Sequence, residues 1–169
     1  MTAGSLPVRF RAPAKSDVPF VVDSWVKSAR ATPAHAPMWS DVYARTYVPI
    51  VDALVRSAFI LVAYYETDRD HLCGWIAWDD APSSGFVLHY VYVKDDLRRD
   101  GLATMMVKHV RPNFGDEITT VSMACTPRTP GAPTWPQIVD RWKLRYSPYS
   151  IMRVREAMGM EALGNAAER

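Results

Sequence analysis

Apolar and polar residues alternate along the chain with two different periods. Val8 to Arg11 is a short run of strand character. After Ser16, a candidate N-cap, the residues Val18, Val21, Val22, Trp25, Val26 and Ala29 recur with the spacing of one helical face. Ala31 to Pro37 breaks the pattern, and Ser40 offers a second N-cap ahead of Tyr43, Tyr47, Val51, Leu54 and Val55. That second helix carries Pro49, which predicts a kink. Phe59 to Tyr65 and His71 to Trp78 read as strands joined by the polar stretch Glu66 to Asp70, a connection of hairpin length. A second polar connection, Asp79 to Gly85, leads into Phe86 to Val93. This last run is almost wholly β-branched, aromatic or apolar, as fits a strand buried on both faces in mid-sheet.

Helical spacing returns at Leu102, Met105, Met106 and Val110, and Pro112 ends it. Ile118 to Ala124 then reads as a strand, Thr134 to Trp142 as a short helix, Leu144 to Tyr149 as an extended piece and Ser150 to Met160 as a terminal helix. The predicted order is β-α-α-β-β-β-α-β-α-β with a C-terminal helix, in one domain over residues 1–169. The three consecutive strands make an antiparallel meander, and a right-handed crossover through the third helix makes the next strand parallel. The expected fold class is therefore α/β (α+β), a mixed, mostly antiparallel central sheet flanked by helices.

Composition narrows the function classes. A chain of 169 residues with 49% hydrophobic content can bury a sizeable core. Its net charge of +2 and pI near 8.6 are mild and dispersed, so charge alone neither demands nor excludes nucleic acid. Cys73 and Cys125 show no CxxC or Cys/His spacing, which points to neither a zinc site nor a disulfide framework. There is no apolar run of spanning length and no signal-peptide pattern, so the expectation is a cytoplasmic protein with no membrane partner.

The candidate chemistry lies where the strand Phe86 to Val93 passes through Lys94 to Gly101 into the third helix. A glycine at a helix N-terminus lets free backbone N–H groups approach a ligand, and Arg98 and Arg99 beside it favour a polyanion. The pattern Arg98-x-x-Gly101-x-Ala103, following the strand end Val91-Tyr92-Val93, resembles the acyl-coenzyme A binding motif of the GNAT superfamily of N-acetyltransferases. The element order from about Val8 to Trp142 is similar as well. The resemblance implies an acyl-CoA, acetyl-CoA by default, as acyl donor to a primary amine on a small-molecule or macromolecular acceptor. It also implies pyrophosphate contacts from Arg98, Arg99, Asp100, Gly101, Leu102, Ala103 and Thr104, chiefly through the backbone, with Val91 and Val93 lining the pantetheine arm.

Amide synthesis from a thioester needs a base for the amine and a proton for the departing thiolate. Period two places Val87, His89, Val91 and Val93 on one face of the strand and Leu88, Tyr90 and Tyr92 on the other. In many relatives a Glu or His base sits on this strand, so His89 resembles such a base. The same residue also reads as a core histidine hydrogen-bonded to a neighbour. Relatives often supply a Tyr after the fifth strand to protonate the thiolate, and here the sequence departs from them. The helix Thr134 to Trp142 has no Tyr, and of the nearest phenols, Tyr146 and Tyr149, Tyr146 is the candidate acid. Cys125 reads as a small buried thiol rather than an acyl carrier.

Trp39, Tyr43 and Tyr47 read mainly as core, with an acceptor pocket as the alternative. The stretch Pro127 to Pro136 is either a rigid connection or a lid over the acceptor. A second resemblance, to GNAT-like proteins of phage and prophage genomes, rests on the Ser24-Trp25 helix and the Leu88 to Lys94 strand. It implies a nucleobase amine as acceptor, with Arg141, Lys143, Arg145, Arg153 and Arg155 near Trp142 and Tyr146 as the stripe that would meet DNA. A non-catalytic CoA-binding or protein-interaction module remains a third reading, and exposed aromatics could mark a homodimer face.

Overall fold

The computed structural model describes residues 7–31, 35–81, 85–112, 118–120 and 144–146. The strand patterns assemble one six-stranded sheet in the order β1 (Val8–Arg11), β2 (Phe59–Tyr65), β3 (Asp68–Ala81), β4 (Gly85–Val93), β5 (Ile118–Thr120) and β6 (Leu144–Tyr146). The first four strands are successively antiparallel to one another. β5 then runs parallel to β4, and β6 parallel to β5. The helices are α1 (Val18–Arg30), α2 (Ser40–Ser57) and α3 (Leu102–Val110).

Each sheet face has its own apolar layer. On one, α1 and α2 bring Val21, Trp25, Ala29, Val51 and Leu54 against Val62, Trp75, Ala77 and Tyr90. On the other, α3 sets Leu102, Met106 and Val107 against Ala63, Cys73, Ile76, Phe86 and Leu88. β4 is thus covered on both sides, as its composition predicts. Tyr43, fully inside, donates its hydroxyl to the Val26 carbonyl at 2.7 Å, and burial pushes its pKa up to about 12. Trp39 departs from the core expectation, at 79% exposed on the N-cap of α2.

The expected caps shift by a residue or more. Asp17, not Ser16, precedes α1, after a single 3-10 turn over Lys15–Asp17. Its carboxylate is occupied by Arg11 and by the Ala14 amide, and the Arg11 hydrogen bond holds its pKa below the ordinary value. Trp39 stands where Ser40 was expected, and Ser40 begins the helix. Pro49 is accommodated inside α2.

The strand boundaries also move. The β2–β3 connection closes over Glu66 and Thr67 instead of Glu66 to Asp70, and β3 continues past Trp78 to Ala81. Asp79 therefore lies in a strand, not in the turn. Of the expected strand Ile118 to Ala124, Ile118–Thr120 is observed. The rest of that strand, the helices Thr134 to Trp142 and Ser150 to Met160, Cys125 and the proline-rich stretch lie outside the described residues. So does the basic stripe, save the backbone of Arg145 in β6.

β3 is irregular in its pairing with β2 and again in its pairing with β4. Ala63 pairs with Gly74 and Tyr64 with Leu72, so Cys73 is an extra residue on β3. The Cys73 carbonyl instead accepts the Lys94 amide at 3.0 Å, which ties off the end of β4. Beside it, a Cβ on Gly74 would lie 2.5 Å from the Tyr92 carbonyl oxygen. Gly74→Ala is accordingly expected to destabilise the fold by about 1–3 kcal/mol, since backbone rather than a side-chain end must yield. Urea unfolding followed by circular dichroism measures this, and an unchanged midpoint would contradict the close approach.

Candidate functional site

The second irregularity carries the candidate base. Ala77 pairs with Tyr90 and Trp78 with Leu88, one step on β3 against two on β4, so His89 is the bulge residue. The bulge reverses the alternation of faces. Phe86 and Leu88 before it share the α3 side with Val91 and Val93 after it, while Tyr90 and Tyr92 face α1 and α2. The period-two expectation, which grouped Val87 and His89 with Val91 and Val93, is corrected here. An extra residue shifts the pleat by one, and every later side chain changes sides.

His89 is 1% exposed. Its Nε2 lies 2.7 Å from Oδ2 of Asp79, and its Nδ1 is buried without a hydrogen-bond partner among the described residues. Asp79 pairs with Val87 across the strands and retains 25% side-chain exposure. On the other side of β4, the parallel pairing with β5 joins Val87 to Thr119 and Leu88 to Thr120. His89 thus follows directly on the last described rung of that pairing. Sequence reasoning missed Asp79 because Asp-Asp-Ala-Pro reads as a turn.

Beyond β4 the chain makes a 3-10 turn at Asp95–Leu97 and reaches α3 through two left-handed residues, Arg99 (φ 81°) and Gly101 (φ 83°). A non-glycine residue in that region costs roughly 1–2 kcal/mol, which the surrounding fold must offset. At Gly101 the space where a Cβ would sit is open, with nothing within 4 Å among the described residues. The glycine therefore serves its backbone angle and a free approach, not tight packing.

The first bond of α3 runs from the Met105 amide to the Gly101 carbonyl at 2.9 Å. The amides of Leu102, Ala103 and Thr104 consequently lie outside the helix's own ladder, at its positive end. No acidic side chain occupies the first turn of α3. Leu102 itself is buried beneath, anchoring the turn in the core.

The Arg98 side chain is engaged within the protein. Its Nε donates to the Val93 carbonyl at 3.1 Å, and a terminal nitrogen meets Asp95 Oδ1 at 2.5 Å. The guanidinium thus braces the strand end to the loop. The resemblance assigns it to the pyrophosphate, and this geometry engages it with the protein. Asp100 lies between the two left-handed residues, and Ala103 and Thr104 lie in the first turn of α3. Tyr146 lies on β6, its backbone in register with Thr120. The Cys73 thiol is buried and its pKa pushed up by that burial, so it offers no ready nucleophile. Among the described residues, no helix is long and apolar enough to cross a membrane.

No family model matches the sequence, and no curated protein matches it. Solved structures do match the fold. A histone acetyltransferase HPA2 and related acetyltransferase from Corynebacterium glutamicum is 17% identical, with a TM-score of 0.52 over 66% of this chain and 75% of that one. A possible acetyltransferase from Clostridium difficile is 14% identical, with a TM-score of 0.51 over 83% of this chain and 91% of that one. Apo-form YjaB from Escherichia coli is 20% identical with a TM-score of 0.45, and the match covers 60% of this chain and just under two thirds, 63%, of YjaB. At these identities the likeness is one of architecture. The chain has the fold of the GNAT N-acetyltransferases.

Proposed function

We propose that the protein is an acyl-CoA dependent N-acyltransferase, with acetyl the default acyl group and direct transfer to an amine acceptor. The observation that carries the reading is the left-handed Gly101 opening onto the unladdered amides of Leu102, Ala103 and Thr104. Backbone donors at a helix N-terminus suit a pyrophosphate, and the open space above Gly101 lets one approach. Val91 and Val93, at the end of β4 and against the α3 layer, are the proposed lining for the pantetheine arm. An acyl thioester would supply the activated carbonyl.

The chain's own residues then have two proton tasks. His89 takes a proton from the acceptor nitrogen as the N–C bond forms, and Tyr146 gives one to the sulfur as the C–S bond breaks. The sum is an amide and a thiol with no net proton change. His89 is the better supported of the two, because its buried Nδ1 has no other employment among the described residues.

Calorimetric titration of acetyl-CoA into the wild type and a Gly101→Asp variant tests the donor. Asp tolerates the left-handed region better than most residues, so the variant is expected to fold, while its carboxylate meets the pyrophosphate with like charge. Loss of binding in the folded variant supports the reading. No binding by the wild type would overturn it and leave an interaction module on the same fold.

A further inference from the structure

Asp79 and His89 form a pair that the motif does not contain, and it rests on the preceding reading for its role. We propose that Asp79 is a positioning residue that holds His89 as the Nε2–H tautomer, so that Nδ1 is the proton-accepting atom of the site. Three observations converge on it. The 2.7 Å contact joins Nε2 to a carboxylate oxygen, which accepts a proton-bearing nitrogen and cannot donate to a bare one when ionised. With the proton fixed on Nε2, Nδ1 carries the lone pair, and it is the buried nitrogen without a partner among the described residues. A buried acceptor left unmet is costly, and this one fits an atom kept for a ligand.

The bulge supplies the third observation. In a regular strand His89 would take its turn in the alternation opposite a β3 residue. As the extra residue it has no register partner on β3, and Asp79 reaches it from two residues beyond Ala77 on that strand. The carboxylate is partly exposed while the imidazole is enclosed. A charge at the wetter end can thus steady the imidazolium that forms when Nδ1 takes the acceptor's proton, without itself being fully desolvated. In that step the acceptor N–H bond breaks, an Nδ1–H bond forms, and the Nε2–H bond to Asp79 is retained.

Long-range nitrogen–proton NMR of the imidazoles tests the pair directly, with a His89→Gln spectrum assigning the signal among the four histidines. The neutral wild type is expected to show Nε2 protonated and Nδ1 bare, and Asp79→Ala to lose that fixed tautomer. In acetyl transfer, Asp79→Ala is expected to lower kcat by about 10²-fold, the lower end of what a positioned base contributes. Acetyl-CoA affinity should hold, and Asp79→Glu should recover part of the rate. A wild-type signal with Nδ1 protonated, or an Asp79→Ala enzyme with unchanged tautomer and kcat, would overturn the proposal. The two readouts separate its failure from that of the acyltransferase reading. A fixed tautomer in a protein that neither binds nor turns over acetyl-CoA would remove the catalytic role and retain the pair.

Discussion

His89→Gln is expected to lower kcat for acyl transfer by about 10²–10⁴-fold while leaving acetyl-CoA binding intact. Glutamine is close in size to histidine, and its amide can still donate to the Asp79 carboxylate that now holds Nε2 at 2.7 Å. The enclosed position, 1% exposed in the wild type, is therefore filled without stranding a charge. What glutamine lacks is a basic nitrogen where Nδ1 stands. Thiol release from acetyl-CoA, measured against a panel of primary amines, reads the loss. A variant as fast as the wild type would make His89 a core residue and return the search for a base to residues outside the described segments.

The difference between what the sequence implied and what the chain builds is concentrated at this residue. The loop and α3 could be read locally, because glycine at a helix start, an apolar stripe and a closing proline each act within a few residues. The helices α1 and α2 were legible for the same reason. The β4 bulge was not, since it is set by which β3 residue each β4 residue pairs with. Nothing in Leu88-His89-Tyr90 announces it. Period-two reasoning therefore assigned the faces correctly within each half of β4 and joined the halves wrongly.

Asp79 was hidden by a related limit. Asp-Asp-Ala-Pro has the composition of a turn, yet pairing with Phe86 and Val87 draws both aspartates into β3. Arg98 shows a third kind. Its place in the motif leaves its side chain unspecified, and the guanidinium turns back to Val93 and Asp95, a choice made by loop geometry that no spacing encodes. The cap at Asp17 moved because Arg11 and the Ala14 amide hold its carboxylate, which outweighed the hydroxyl preference of Ser16, while α2 starts after Trp39 with no side-chain cap at all.

Trp75→Ala is expected to cost about 3–5 kcal/mol, the range for deleting a large aromatic from a packed interior. Trp75 is fully buried, its ring 5.0 Å from Trp25 and stacked on Tyr90 and Tyr92 at 5.5 and 6.0 Å. Its Nε1 donates to Ser24 Oγ at 2.8 Å, and that hydroxyl donates in turn to the Phe20 carbonyl at 2.6 Å. One side chain thereby fastens α1 to the middle of the sheet, on the face opposite α3. Trp75→Phe should fall between the wild type and alanine, keeping most of the ring contacts and losing the hydrogen bond. Trp39→Ala provides the contrast. At 79% exposure it should shift stability by no more than about 0.5 kcal/mol. Urea unfolding at matched slopes separates the two tryptophans. Equal midpoints would mean that the aromatic layer beneath β4 does not hold α1 to the sheet. The bulge at His89 would then be stabilised from the α3 side alone.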